Sequence, residues 1–98
     1  MNMQKIMQQA QQMQREITQK QEKINNELFE GKSEWVTVTI NGKKEIKKLD
    51  ITYSGNIDED RDMLQDMVAI ALNDAFNKVN EKTESELGKY SSMLNGLM

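Results

Sequence analysis

The chain has 98 residues, of which 37% are hydrophobic and 30% charged, with a net charge of −3 and a pI near 5.0. At this length folding buries only about two-thirds of the surface that the unfolded chain exposes, so this sparse apolar complement must be used efficiently or shared with another subunit, and oligomerisation is expected. It contains no Cys and no His, and no apolar run approaches the roughly 18 residues that a membrane span requires. Those absences argue against disulfides, thiolate or imidazole chemistry, an enzyme with a small-molecule substrate, and a membrane protein.

Residues 3–28 carry Met3, Ile6, Met7, Ala10, Met13, Ile17, Ile24 and Leu28 at helical spacing, uninterrupted by Gly or Pro. Met3, Ala10, Ile17 and Ile24 fall seven apart, the period of a packing seam, and the remainder is mostly Gln, Lys and Glu, which favour helix while staying solvated. A rod of roughly 40 Å follows from about 26 residues at 1.5 Å each, longer than the body of so small a protein, so part of it is expected to project. The stretch is Gln-rich and amphipathic with no signal-peptide core, which points to the cytoplasm.

Gly31 is read as closing this helical region. Residues 34–40 then alternate strictly, Val36, Val38 and Ile40 on one face and Trp35, Thr37 and Thr39 on the other, which specifies a strand. Asn41-Gly42 predicts a two-residue hairpin turn with positive backbone angles. The return strand runs over residues 44–53, where Leu49, Ile51 and Tyr53 share a face but Ile46 is one residue out of step, so a bulge is expected near Lys47 or Lys48. Residues 28–32 can add a third strand before the hairpin.

A loop at residues 54–56 leads to a second helix, with Asp58 as its N-cap and Asp58, Glu59, Asp60 and Asp62 complementing the positive end of its dipole. Its stripe is Leu64, Val68, Ala71, Leu72, Ala75 and Val79. Residues 67–72 are apolar on every side, which requires burial on more than one face, and Met63, Met67 and Ile70 are assigned to a dimer interface. Beyond Val79 the stripe thins, a break is expected near Gly88, and the tail after Leu94 is expected to fray.

Charge is uneven. Residues 31–56 hold five Lys against three acids, whereas residues 57–98 hold four cations against nine acids. The spacing Asp58-x-Asp60-x-Asp62 resembles the start of a calcium loop, but Met63 and Ala69 stand where such a loop needs Gly and Glu, so first-turn acids of a helix explain it better. Lys43, Lys44, Lys47 and Lys48 form the densest basic cluster. They suit phosphate, but Lys along an exposed strand also prevents edge-to-edge pairing, and that reading is favoured. Lys5 and Arg15 on the first helix, with Lys78, Lys82 and Lys89 on the second, are placed to line a concave surface for a duplex, yet Asp74, Glu81, Glu84 and Glu86 stand near Lys78, Lys82 and Lys89 at distances that make ordinary surface ion pairs, and from spacing alone that reading is favoured.

Three stretches carry a family resemblance: residues 3–14 (MQKIMQQAQQMQ), residues 36–42 (VTVTING), and residues 60–68 (DRDMLQDMV) with Ala71-Leu72-Asn73-Asp74-Ala75. Together they resemble the YbaB/EbfC family of nucleoid-associated proteins along nearly the whole chain. The resemblance implies one α+β domain over residues 1–98, an α-β-β-β-α subunit with an antiparallel three-stranded meander between two long helices, at residues 3–28 and 58–94. It further implies an intertwined homodimer with protruding helical arms that binds duplex DNA in the bacterial nucleoid, affecting nucleoid organisation and gene expression without a cofactor. Lys5, Arg15, Lys78, Lys82 and Lys89 then become candidate phosphate contacts, chosen for their place on the arms. The chain departs from relatives in having Tyr53-Ser54-Gly55 where Asp-Pro is common, and in lacking a glycine-rich loop before the main strand and a Pro/Gly-rich tail. Two other readings compete: a prefoldin-like chaperone holding clients with Gln/Met-rich arms, and an adaptor that binds a protein through residues 3–13.

Overall fold

In the computed structural model, which describes residues 2–96 and side chains through residue 91, the order is α1 (Met3–Asn26), β1 (Leu28–Lys32), β2 (Val36–Asn41), β3 (Ile46–Ile51) and α2 (Arg61–Gly96). The strands form one antiparallel sheet in the order β1-β2-β3. This is the α-β-β-β-α arrangement implied by the resemblance, including the third strand. Asn2 opens α1 by accepting hydrogen bonds from the amides of Gln4 and Lys5 on its side-chain oxygen. The helix ends two residues before the expected boundary, at Asn26, where the extended backbone of Glu27 turns the chain into β1.

Gly31 does not close a helix. It lies in the middle of β1, buried under α2, and a Cβ there would overlap the Ala71 carbonyl oxygen and lie 2.7 Å from the Ala75 Cβ. The close approach is made possible by three small residues meeting: Gly31 on the strand, Ala71 and Ala75 on the helix. Val36, Val38 and Ile40 of β2 join Ala71, Ala75 and Val79 in the core, with Phe29, Met67, Val68, Leu72 and Phe76 packed around it. Polar ties fix the same contact. Lys32 donates its amide to Asp74 (3.0 Å), Lys78 donates to the Glu30 carbonyl (2.6 Å), and the Ser33 hydroxyl donates to the Met67 carbonyl.

The β2–β3 connection departs from the expected turn. The Lys44 amide donates to the Asn41 carbonyl, no glycine among the described residues has a positive φ, and Lys44 takes φ 64°. This is a three-residue loop in which a type I turn is followed by a left-handed residue, a position usually filled by Gly. Gly42 is needed for another reason: its amide donates to the Asn25 carbonyl, and a Cβ there would overlap the Ile24 carbonyl. The expected bulge is present. Thr39 pairs with Lys48 and Ile40 with Ile46, leaving Lys47 as the extra residue.

The start of α2 also differs. The Asn56 side chain, rather than Asp58, caps the preceding turn by accepting from the amides of Asp58 and Glu59, and the helix itself begins at Arg61. Asp60 accepts the Tyr53 hydroxyl, and Tyr53 stacks edge-on against Trp35 with ring centroids 4.9 Å apart. The acceptor and burial raise the Tyr53 pKa above the usual phenol value. No break occurs at Gly88, where the helix continues to Gly96. The expected fraying after Leu94 falls partly on residues 97–98, which lie outside the described residues. The described molecule is 71 Å long and 14 Å thick along its shortest axis, so the helices do project from the sheet.

Two glycine substitutions separate packing from propensity. Gly31→Val is expected to destabilise by about 1–3 kcal/mol through overpacking, while Gly88→Ala, whose new Cβ meets only the flexible end of Glu84, should stabilise by about 0.5–1 kcal/mol. Urea unfolding of both variants checks the two signs.

Candidate nucleic-acid interface

The far half of α2 doubles back along α1, so the arm is an antiparallel helix pair. Tyr90 is buried, with its hydroxyl donating to Glu16 (3.1 Å), and Lys20 reaches Glu86 at 3.7 Å. The ammonium groups of Lys20 and Lys89 sit 5.5 Å and 5.0 Å from the Tyr90 ring centroid. Burial opposes the Lys20 charge, but Tyr90 and Glu86 outweigh it and hold its pKa above the usual lysine value. Ile24, the buried residue of α1, closes the seam at the sheet end, and the exposed Met3, Ile6 and Met7 lie at the opposite end of α1.

These placements divide the five arm cations. Lys5 and Arg15 are exposed on α1 and have no ion pair among the described residues. Arg15 is set in a strip lined by Gln8, Gln11, Gln12, Gln19 and Glu16; the amides are groups that donate to phosphate oxygens, and Glu16 is itself taken up by Tyr90 and Gln12. Lys82 pairs with Glu86 (3.6 Å), and Lys89 lies over Tyr90. Lys78 holds the Glu30 carbonyl and pairs with Asp74 (3.4 Å), so it fastens α2 to β1.

In the hairpin, Lys48 pairs with Asp50 (3.3 Å), whereas Lys43, Lys44 and Lys47 have no ion pair among the described residues. The nearby acid Glu45 accepts from the Asn41 amide at 2.8 Å, and that bond, with Lys47 and Lys43 nearby, lowers its pKa. The Asp58-x-Asp60-x-Asp62 spacing gathers no ligand set. Asp58 pairs with Arg61, Asp60 is taken by Tyr53, and among the described residues no three acids stand together in a metal-holding group.

An apolar surface not anticipated from the pattern lies on the other flank of the molecule. Cross-strand pairing places Ile46, Leu49 and Ile51 of β3 opposite Ile40, Val38 and Val36, on the face that α2 covers. Yet α2 lies over β1 and β2, and these three residues remain 46–55% exposed. Beside them runs the half-buried row Val68, Leu72 and Phe76 of α2, placed on the hairpin side by Lys44, whose ammonium is 5.9 Å from the Phe76 centroid. Ile70 is 56% exposed but belongs to the Ile70-Asp74-Lys78 row that faces β1, and Met63 and Met67 are half-buried. The register of Leu49 and Ile51 was visible in the alternation; the path of α2, which leaves them bare, was not.

Among the described residues no helix is long and apolar enough to cross a membrane. The sequence profile described as the YbaB/EbfC DNA-binding family matches residues 1–94. The chain is 44% identical to nucleoid-associated protein LL0120 of Lactococcus lactis subsp. lactis, over 96% of this chain and 97% of that one. It is 42% identical to a nucleoid-associated protein of Enterococcus faecalis, over 97% and 93% of the two chains. Its structure resembles the crystal structure of the uncharacterized protein HP0035 from Helicobacter pylori, with a TM-score of 0.69 and 27% identity over 100% of this chain and 99% of that one.

The β1–α2 tie titrates. The Lys32 amide, helped by Lys78, holds the Asp74 carboxyl below its ordinary value of 3.8. A depressed carboxylate contributes its full stabilisation above the unfolded-state pKa and loses it as pH falls through the folded one. Asp74→Asn is therefore expected to be less stable than the parent at neutral pH, with the gap closing below about pH 4. Thermal unfolding between pH 7 and pH 2.5 measures that convergence.

Proposed function

This chain belongs to the YbaB/EbfC DNA-binding family, and we propose that it is a homodimeric nucleoid-associated protein that grips duplex DNA through the phosphate backbone with little or no reading of base edges. The observation that carries the proposal is the arm: an elongated helix pair whose α1 surface presents Lys5 and Arg15 without an ion pair among the described residues, in a Gln-rich strip whose one acid, Glu16, is hydrogen-bonded by Tyr90 and Gln12. Contacts of that kind set position and orientation on the duplex and carry no sequence information directly. Lys82 and Lys89 contribute by leaving Glu86 and Tyr90, and Lys78 only by releasing the β1 tie. Binding of this kind in the bacterial cytoplasm would affect nucleoid organisation and gene expression.

The second subunit answers the exposed apolar surface. A protein of this size gains little from leaving Ile46, Leu49 and Ile51 in water beside Val68, Leu72 and Phe76, and contiguous apolar patches of this kind mark association surfaces. We assign the valley between β3 and α2 as the dimer contact; Met63, Met67 and Ile70, the interface residues expected from the sequence, lie across α2 on the β1 flank and form the rival contact. The family and the nucleoid-associated relatives are non-enzymatic in name, and the arrangement calls for no cofactor.

Two measurements test this reading. Arg15→Glu combined with Lys5→Glu is expected to lower duplex affinity at least tenfold while leaving the dimer intact, and unchanged anisotropy titrations would refute those contacts. Leu49→Asp buries an unpaired charge if the valley is the interface and should yield monomer in sedimentation equilibrium. Dissociation by Ile70→Asp alone would move the interface to the β1 flank, and a dimer surviving both changes would contradict the assignment.

A further inference from the structure

We propose that the tip of the β2–β3 hairpin, carrying Lys43, Lys44 and Lys47, is a second phosphate-contact site at the root of the arm, separate from the Lys5 and Arg15 surface. The inference rests on the DNA-binding reading and adds to it a place and a set of residues.

The backbone supplies the first reason. Lys44 holds φ 64°, in a loop position where Gly or Asn sits without strain. A long cationic side chain at such a position is held at a cost in backbone strain, and strained residues of this kind collect at functional sites. Its ammonium stands 5.9 Å from the Phe76 centroid, and shielding that ring is the one role other than phosphate contact, which the Lys44→Gly variant separates. Rigidity supplies the second. The Asn41 side chain accepts from the amides of Lys43 and Glu45 (3.0 Å each) and donates to the Glu45 carboxylate, while the Asn41 and Lys44 amides close the loop. The lysines are therefore presented from a fixed frame, which reduces the ordering cost of binding.

Charge supplies the third reason. Glu45 is engaged by Asn41, and Lys43, Lys44 and Lys47 have no ion pair among the described residues. Protection of an exposed edge accounts for Lys48, which is paired with Asp50 on β3, while Lys47 is bulged out of the ladder beside the loop. It does not account for Lys43 and Lys44, which stand in the loop beyond the strand ends. Position supplies the last. Gly42 lies directly on the final turn of α1, bonded to the Asn25 carbonyl, so the tip is locked to the root of the arm. A duplex engaged by the arm and a duplex engaged by the hairpin are thus held by one rigid frame.

Lys44→Gly makes a sharp test because strain and contact pull in opposite directions. Relief of the left-handed Lys is expected to leave the melting temperature equal or higher, while duplex affinity falls several-fold. The double variant Lys43→Ala/Lys47→Ala tests the same site without touching the strained residue. In anisotropy titrations of labelled duplex DNA with the full chain, the slope of log affinity against log salt should shrink by about 0.9 for each phosphate contact removed. Variants that bind with the parent's affinity and slope would overturn the site while leaving the arm contacts standing. A melting temperature lowered by Lys44→Gly with binding unchanged would assign Lys44 to shielding Phe76 and likewise overturn it. If the parent protein binds no duplex even at low salt, the DNA-binding reading itself falls and this site with it.

Discussion

The approach of α2 to β1, at a distance that only Gly31 facing Ala71 and Ala75 permits, sets the geometry of the rest of the molecule. With the helix pressed onto the first strand, its buried row covers β1 and β2 and cannot also reach β3. The Asp74 and Lys78 ties to β1 hold it there, so the displacement is fixed by polar bonds as well as by packing. Two consequences follow: Ile46, Leu49 and Ile51 stay exposed, and the far half of α2 is carried past the sheet to lie along α1.

The same displacement reconciles an acidic chain with an anionic partner. Phosphate binding depends on the cations that reach the backbone and release counterions, while net charge acts at longer range and is screened within about 8–10 Å at physiological salt. Here much of the acid is spent locally. Asp74 is held by β1, Asp60 by Tyr53, Glu86 by Lys20 and Lys82, and Glu45 by Asn41. Lys5, Arg15 and the hairpin lysines Lys43, Lys44 and Lys47 carry no ion pair among the described residues, which leaves their ammonium and guanidinium groups open to phosphate.

Much of the fold was legible in the sequence, for definite reasons. Val36, Val38 and Ile40 alternate without error, and the misfit of Ile46 announced the bulge that leaves Lys47 unpaired. Residues 67–72, apolar on every side, signalled two packing surfaces, though not which flank would be bare. Where reading failed, a tertiary contact had overridden a local preference. Gly31 resembles a helix stop until the helix above it is known, and Asn41-Gly42 resembles a tight positive-φ turn until Gly42 is seen pressed on α1. Gly88 did not break α2, because Glu86 just before it and Tyr90 just beyond it anchor the helix to α1. The candidate cations were all visible as residues. Their availability was not, since pairing of Lys78 with the Glu30 carbonyl spans 48 positions.

On the proposed reading duplex DNA lies against the arm and its root, and the bare apolar valley is left to another subunit. Mapping backbone amide shifts of the isotope-labelled protein during titration with a short duplex tests it most directly. The account predicts salt-sensitive perturbations along the Lys5–Arg15 surface of α1 and at residues 42–47, with little change at Leu49 and Ile51. Perturbations centred on the β3 valley, or none along α1 at low salt, would contradict it.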